Sequence, residues 1–118
     1  MKVKTQDIGS KLLSESKFYT GYSRWNEETN ARETWNEAVE RVMQMHRSKY
    51  SDRLSPILMY LMYEAELAYK EKLILGSQRA LQFGGEQLLK HEIRNYNCSS
   101  SHCDRPEFFN EAMYILLC

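Results

Sequence analysis

The residues best placed to do chemistry in this 118-residue chain lie between Arg79 and Cys103. The run from Arg94 to Cys98 predicts a short strand that ends on a thiol, and the three serines that follow favour a turn. A thiol at the end of a buried strand is well placed to react. An isolated cysteine is more often a small apolar residue of the core, and spacing alone leaves this alternative open.

Cysteine spacing bears on metal and disulfide chemistry. Cys98, Cys103 and Cys118 make an odd count without the spacing of a disulfide framework, which is typical of reduced thiols inside a cell. Cys98, His102 and Cys103 supply at most three soft ligands, whereas a closed zinc site needs four. We therefore expect no metal site, with a small redox or metal protein as the third-ranked alternative.

The charge balance and the hydropathy exclude several classes of protein. Sixteen basic and sixteen acidic residues cancel, and the pI is about 6.8, so we expect no general attraction to nucleic acid or to an anionic membrane. The sequence shows no apolar run long enough to span a membrane and no signal-like start. We expect a cytoplasmic protein, and a nucleotide substrate stays compatible with these properties because a pocket needs only a few local donors.

The first half of the chain predicts helices. Residues 5–18 have a weak helical pattern, and residues 20–30 predict an irregular segment held by aromatic side chains. Thr34 and Glu37 have the spacing of a capping box. The apolar residues behind them recur at helical spacing, which predicts an amphipathic helix that ends near Tyr50.

A second long helix should follow. Ser55 and Pro56 are a cap and a first helical residue, and Gly76 is expected to end the helix. We expect its first half to be buried and the two helices to form an antiparallel hairpin. Glu64 and Glu71 are interpreted as surface charge, because lysines accompany them.

The remainder of the chain predicts a loop, a strand and a helix. Gly84 and Gly85 indicate a tight turn or a phosphate-facing loop. A brief extended piece at residues 88–91 would precede the strand at residues 93–98. From Pro106 we expect a helix whose apolar residues face inward, namely Phe108, Phe109, Ala112, Met113, Leu116 and Leu117. A single strand and a single helix cannot bury both faces, so we expect the domain to need further strands.

Several short segments, in this order, resemble the ribonucleotide reductases. The segments at the start of the catalytic barrel are Arg79-Ala80-Leu81, Gly84-Gly85, Asn97-Cys98 and the run from Phe108 to Met113. The segments in the preceding helical region are Phe18-Tyr19, Tyr22-Ser23-Arg24, Glu33-Thr34-Trp35 and Glu40-Arg41-Val42. The likeness spans about residues 18–118 and is closest to the monomeric, adenosylcobalamin-dependent class II enzymes that reduce ribonucleoside triphosphates.

The resemblance implies a fold, a reaction and site residues. The fold would be mainly α, with a helical region at residues 1–76 and the start of an incomplete α/β barrel at residues 77–118. These enzymes make deoxyribonucleotides for DNA replication by thiyl-radical chemistry, with electrons from a redox-active cysteine pair. The likeness makes Cys98 one member of that pair, assigns substrate binding to Ala80 and Asn97, and places Asp104 near an effector-nucleotide site.

The resemblance also implies what this chain lacks. The second redox cysteine, the radical-carrying cysteine, the catalytic glutamate and asparagine, and the cobalamin contacts have no counterpart here. We therefore expect an amino-terminal portion without turnover of its own. Its partners would be a complementary C-terminal reductase fragment, a ribonucleotide substrate and a thioredoxin-like reductant. Adenosylcobalamin or a separate metal subunit would generate the radical. The alternative from another class is a helical protein-interaction module.

Overall fold

The structure, a computed structural model, describes residues 7–96 and 98–117 and is mainly helical. Its α-helices and β-strands are α1 (Ile8–Gly21), β1 (Trp25–Asn26), β2 (Ala31–Arg32), α2 (Trp35–Lys49), α3 (Pro56–Lys70), α4 (Gln78–Phe83), α5 (Glu86–Lys90) and α6 (Glu107–Leu117). Two 3-10 helices, Ser51–Arg53 and Glu92–Asn95, complete the order. Within these ranges, none of the helices has the length and apolar character that crossing a membrane requires.

The predicted start of α2 is confirmed. The Thr34 hydroxyl accepts a hydrogen bond from the Glu37 N–H at 3.4 Å, and the Glu37 carboxylate accepts one from the Thr34 N–H at 2.7 Å. This reciprocal pair satisfies two backbone donors that a helix start leaves free. The helix ends at Lys49, next to the predicted end.

A short hairpin occupies part of the segment predicted to be irregular. β1 pairs antiparallel with β2, with Trp25 opposite Arg32 and Asn26 opposite Ala31. The Asn26 side chain accepts a hydrogen bond from the Glu28 N–H at 2.9 Å, and Asn30 has a φ of 49°. Asparagine tolerates this left-handed conformation and bonds its own turn, so the hairpin forms without an apolar alternation.

The third helix begins as predicted and ends earlier. The Ser55 hydroxyl accepts a hydrogen bond from the Leu58 N–H at 3.3 Å, which confirms the cap. At the other end Lys72 has a φ of 60°, and the Leu73 N–H donates to the Ala68 carbonyl at 2.9 Å. This is a Schellman ending with lysine in the place that glycine usually takes. The prediction that Gly76 ends the helix is therefore wrong.

The core forms where α2 meets the second half of α3. The start of α2 lies against the end of α3, where the Trp35 indole N–H donates to the Lys70 carbonyl at 3.1 Å. Core members come from α1, α2, α3 and α4: Phe18, Ala38, Val39, Val42, Met43, Tyr69, Ala80 and Leu81. α4 thus joins the helical region as part of one core.

The first half of α3 is exposed, so the prediction that it is buried is wrong. Its large apolar side chains, Ile57, Leu58, Met59, Tyr60, Leu61 and Tyr63, are between 46% and 72% exposed. The radius of gyration, 17.9 Å, also exceeds the roughly 14 Å of a compact chain of this length. The reason is geometric: α2 reaches only the second half of the helix.

The predicted strand at residues 93–98 is not found among its described residues, and the extended piece at 88–91 is largely the helix α5. A strand needs a neighbour for its backbone groups, and no other strand lies in the described part of residues 77–117. The backbone is satisfied locally instead: the Arg94 N–H donates to the His91 carbonyl at 3.2 Å, and the Tyr96 N–H to the Ile93 carbonyl at 3.1 Å. The described residues therefore form a mainly helical structure, as predicted.

The last helix is confirmed as α6, but its predicted inward face is wrong. Phe109, Met113, Leu116 and Leu117 are each more than half exposed, while Phe108 and Ala112 are partly buried. Helical periodicity predicts which residues share a face, and it does not predict what covers that face.

Candidate functional site

A buried ion pair lies between α2 and the residues that precede it. The Arg41 Nε donates to Glu33 Oε1 at 2.8 Å, and its Nη2 donates to Glu33 Oε2 at 2.9 Å. The two side chains are only 15% and 14% exposed. Because both carboxylate oxygens are engaged in parallel, the guanidinium plane is fixed in orientation.

The same guanidinium binds the end of α4. Arg41 Nη1 donates to the Gly84 carbonyl at 2.8 Å, and Nη2 donates to the Leu81 carbonyl at 2.9 Å. Arg24 Nη2 donates to the neighbouring Gln82 carbonyl at 3.1 Å. The last carbonyls of a helix have no partner within it and carry partial negative charge, so cations stabilise them.

We call Arg24, Glu33 and Arg41 the arginine clamp. Glu33 also accepts a hydrogen bond from the Arg24 backbone N–H at 3.3 Å, which joins all three residues. Burial, together with the nearby charge of Arg41, lowers the pKa of Arg24, and Glu33 opposes this shift. The guanidinium stays charged, because arginine titrates far above neutral pH.

The clamp holds a turn that glycine alone fits. A Cβ at Gly84 would lie 2.2 Å from the Ala80 carbonyl oxygen, and Gly85 has a φ of 110°. The Gly84 N–H donates to the Ala80 carbonyl at 2.7 Å, and the Gly85 N–H donates to the Met45 sulfur at 3.2 Å. Since both amides have partners within the chain, the structure matches the tight turn rather than the phosphate-facing loop.

Beyond the turn, the chain leads to Cys98 through α5 and the 3-10 helix Glu92–Asn95, which contacts both α4 and α5. The Glu92 carboxylate forms an ion pair with Lys49 at the end of α2. Cys98 is exposed and lies outside any helix or strand, not at the end of a buried strand as predicted. An exposed thiol is accessible to a substrate and to a reductant.

The other predicted site residues lie in different environments. Ala80 is 7% exposed and belongs to the core, with its N–H donating to the Ser77 hydroxyl at 3.4 Å. Asp104 is exposed and pairs with Arg105 at 3.0 Å. Asn97 lies outside the described residues. The structure thus places Ala80 in the core and Cys98 and Asp104 at the surface.

Sequence reasoning missed the arginine clamp as a site. Arg41 reaches Gly84 across 43 positions, and Arg24 reaches Gln82 across 58, so no local spacing links them. A usable signal nevertheless existed. Arg24, Glu33 and Arg41 all belong to segments that carry the reductase likeness, and so does the glycine pair that they hold.

The chain also has a cleft of about 420 Å³ between α1, the start of α2 and residues 72–78. Aromatic side chains and two lysines line it, and its described lining includes no Asp, Glu, His or Cys. The polar groups that its side chains supply are the hydroxyls of Ser14 and Tyr22, the ammonium groups of Lys17 and Lys72, the Trp35 indole and the Gln78 amide. Across the described residues, no three potential metal ligands come together.

Comparisons with protein-family models, with curated proteins and with solved structures found no match to this chain.

Proposed function

We propose that this chain is the amino-terminal portion of a ribonucleotide reductase and supplies Cys98 as one of two redox-active thiols. The observation that carries the proposal is the connected path from the arginine clamp through the Gly84–Gly85 turn to the segment before Cys98. The residues of the clamp, the turn and the cysteine all lie in the segments that resemble ribonucleotide reductases. Their contacts supply a physical reason why these separate segments occur together.

The proposed chemistry is a balanced two-electron reduction. The ribose 2′-hydroxyl leaves as water and hydrogen replaces it, while two thiols lose two protons and two electrons to form a disulfide. The second thiol comes from the complementary part, and its Cα must approach that of Cys98 to about 4.4–6.8 Å. A thioredoxin-like reductant then restores both thiols by exchange, for which the exposure of Cys98 is suited.

Radical generation belongs outside this chain in the proposal. The resemblance assigns adenosylcobalamin to the complete enzyme and places its contacts outside this chain. The complementary part would hold the cobalamin, or a separate metal subunit would generate the radical. Nucleotide binding at Ala80, Asn97 and Asp104 is likewise part of the proposal.

Two exposed apolar surfaces support the need for a complementary polypeptide. The first is the leading half of α3, and the second is the outer face of α6 with Phe109, Met113 and Leu117. Large exposed apolar patches mark interaction sites in proteins. A complementary C-terminal fragment that packs on them would complete the catalytic domain in the cytoplasm.

The test is co-expression with the C-terminal part of a monomeric class II reductase, followed by an assay of deoxyribonucleotide formation. We expect turnover only when both parts are present, and a loss of at least about 1,000-fold in Cys98→Ser, because removing a group that acts as part of a unit abolishes the unit. Cys103→Ser is the matched control and should stay within about twofold. Normal turnover in Cys98→Ser would disprove the assignment of the thiol.

The alternative function is a helical interaction module without catalytic activity. The exposed first half of α3 favours it, because a helix that is apolar on all sides is normally enclosed by other structure. A module of this kind would be indifferent to Cys98→Ser and would form no active complex with a reductase fragment. The co-expression assay therefore separates the two functions.

A further inference from the structure

One row of side chains on α2 contacts the segment between Leu81 and Glu92, which precedes Cys98 in the chain. Arg41, Met45 and Lys49 are spaced four residues apart, so they lie on one face of the helix. Arg41 binds the Leu81 and Gly84 carbonyls, Met45 accepts the Gly85 N–H, and Lys49 pairs with Glu92. We call Arg41, Met45 and Lys49 the α2 row.

The three contacts follow each other in the order of the chain. The row engages first the end of α4, then the turn, and then the 3-10 helix Glu92–Asn95. That 3-10 helix ends three positions before Cys98. The row thus covers a little over two turns of α2 and contacts the path at both of its ends, Leu81 and Glu92.

The contacts differ in what they contribute to stability. Arg41 and Glu33 are largely buried, whereas Lys49 and Glu92 are 35% and 64% exposed. An exposed ion pair contributes at most about 1 kcal/mol to folding. Lys49 can therefore influence the position of the 3-10 helix without deciding whether the chain folds.

We infer, on the basis of the proposed function, that Arg41 and Lys49 are positioning residues that hold the Cys98 thiol in register with the rest of the active site. Neither side chain touches the reacting groups. Arg41 fixes the turn through a planar fork of donors, which lysine cannot reproduce with a single ammonium group. Lys49 fixes the far end of the path.

The first experiment measures the position of Cys98 directly in the full chain. Nitroxide labels on Cys98 and on an exposed α2 residue, in the Gln44→Cys variant with Cys103→Ser and Cys118→Ser, report a distance distribution by pulsed electron resonance. We expect a narrow distribution that becomes at least twofold broader in Arg41→Lys. Arg47→Lys is the matched control, because Arg47 lies on α2 but pairs with Glu66 on α3.

Lys49→Met is the second variant, since it keeps most of the stem and removes only the charge. It should broaden the distribution while the melting temperature changes by less than about 2 °C, as expected for an exposed pair. This variant keeps the inference testable if Arg41→Lys does not fold. An unchanged distribution in folded Arg41→Lys, or in Lys49→Met, would overturn the positioning role.

The second experiment uses the assembled reductase. Arg41→Lys and Lys49→Met should lower kcat at least tenfold, because the thiol is displaced from the reacting ribose. Unchanged kcat in an active assembly would contradict the inference. The wild-type assembly could fail to turn over while the variants still broaden the distance distribution. That result would support positioning by the α2 row and would overturn only the proposed reductase function.

Discussion

At the scale of single residues, Gly84 has the least freedom to change. A methyl group there would lie 2.2 Å from the Ala80 carbonyl oxygen and 3.1 Å from Val42. We expect Gly84→Ala to lower the free energy of unfolding by about 2–4 kcal/mol, because the backbone of α4 must shift to admit it. Urea denaturation followed by circular dichroism measures the change.

The control for this substitution is Gly21→Ala. A Cβ at Gly21 meets nothing within 4 Å, so its stability should stay the same or rise by up to about 1 kcal/mol. Equal effects of the two substitutions would show that the turn is not as closely packed as described.

His46 gives the chain a pH dependence. Burial, and then the nearby charge of Lys49, lower the pKa of His46 in the folded protein below its ordinary value of 6.5. The unfolded chain therefore binds more protons as the pH falls below about 6.5, and stability is lost in that direction. The urea midpoint should fall between pH 7 and pH 5.5, and fall less in His46→Gln. Equal falls of the urea midpoint in the wild type and in His46→Gln would show that His46 is not the source of the pH dependence.

The chemistry of single residues was partly predictable. Residue type singled out Cys98 but not its surroundings: it was expected at the end of a buried strand, and it is exposed and outside any helix or strand. The arginine clamp was not predictable from spacing, because the partners of Arg41 lie 40 and 43 positions further along the chain. Contacts between residues so far apart in sequence arise when the folded chain packs together, and a pattern of residue types does not specify that packing.

At the scale of elements, the capping box makes a separate prediction. Thr34→Ala removes the hydroxyl that accepts the Glu37 N–H and should lower the free energy of unfolding by about 1 kcal/mol. The carboxylate of Glu37 keeps its bond to the Thr34 N–H, which limits the loss. Thermal unfolding measures the effect, and Thr29→Ala on the exposed hairpin is the control. A larger loss in Thr29→Ala would contradict the importance of the cap.

Helix starts were predictable here, and helix ends and the strand were not. Ser55 and Thr34 announce their helices because a cap is a local hydrogen bond. The end of α3 depends on Lys72 in a left-handed conformation that sequence ordinarily assigns to glycine. The strand predicted at residues 93–98 is not found among its described residues, because a strand needs a neighbour that this part of the structure does not provide.

At the scale of the whole molecule, the exposed surface of α3 should govern association. Between Ile57 and Tyr63, the large apolar side chains other than Met62 are 46–72% exposed, so the isolated protein should self-associate as its concentration rises. Sedimentation velocity should show a smaller species in the double variant Ile57→Lys and Tyr60→Lys. Because both side chains are more than 60% exposed, the melting temperature should change little.

Two results would contradict this interpretation. A wild type that stays monomeric at high concentration would show that the exposed surface of α3 does not drive self-association. A double variant that melts much earlier would show that α3 is packed more fully than its exposure indicates.

The long reach of the arginine clamp has a consequence for synthesis of the chain. Arg41 emerges from the ribosome 43 residues ahead of Gly84, a delay of about 2–9 s at ordinary rates of translation. Once Lys49 has also emerged, all residues of α2 and Glu33 are outside the ribosome, while the Leu81 and Gly84 carbonyls that accept from the Arg41 guanidinium are still missing. A codon change that slows translation between residues 41 and 84 would lengthen the time for which chaperones can contact the incompletely paired Arg41 guanidinium. The amino-acid sequence would be unchanged.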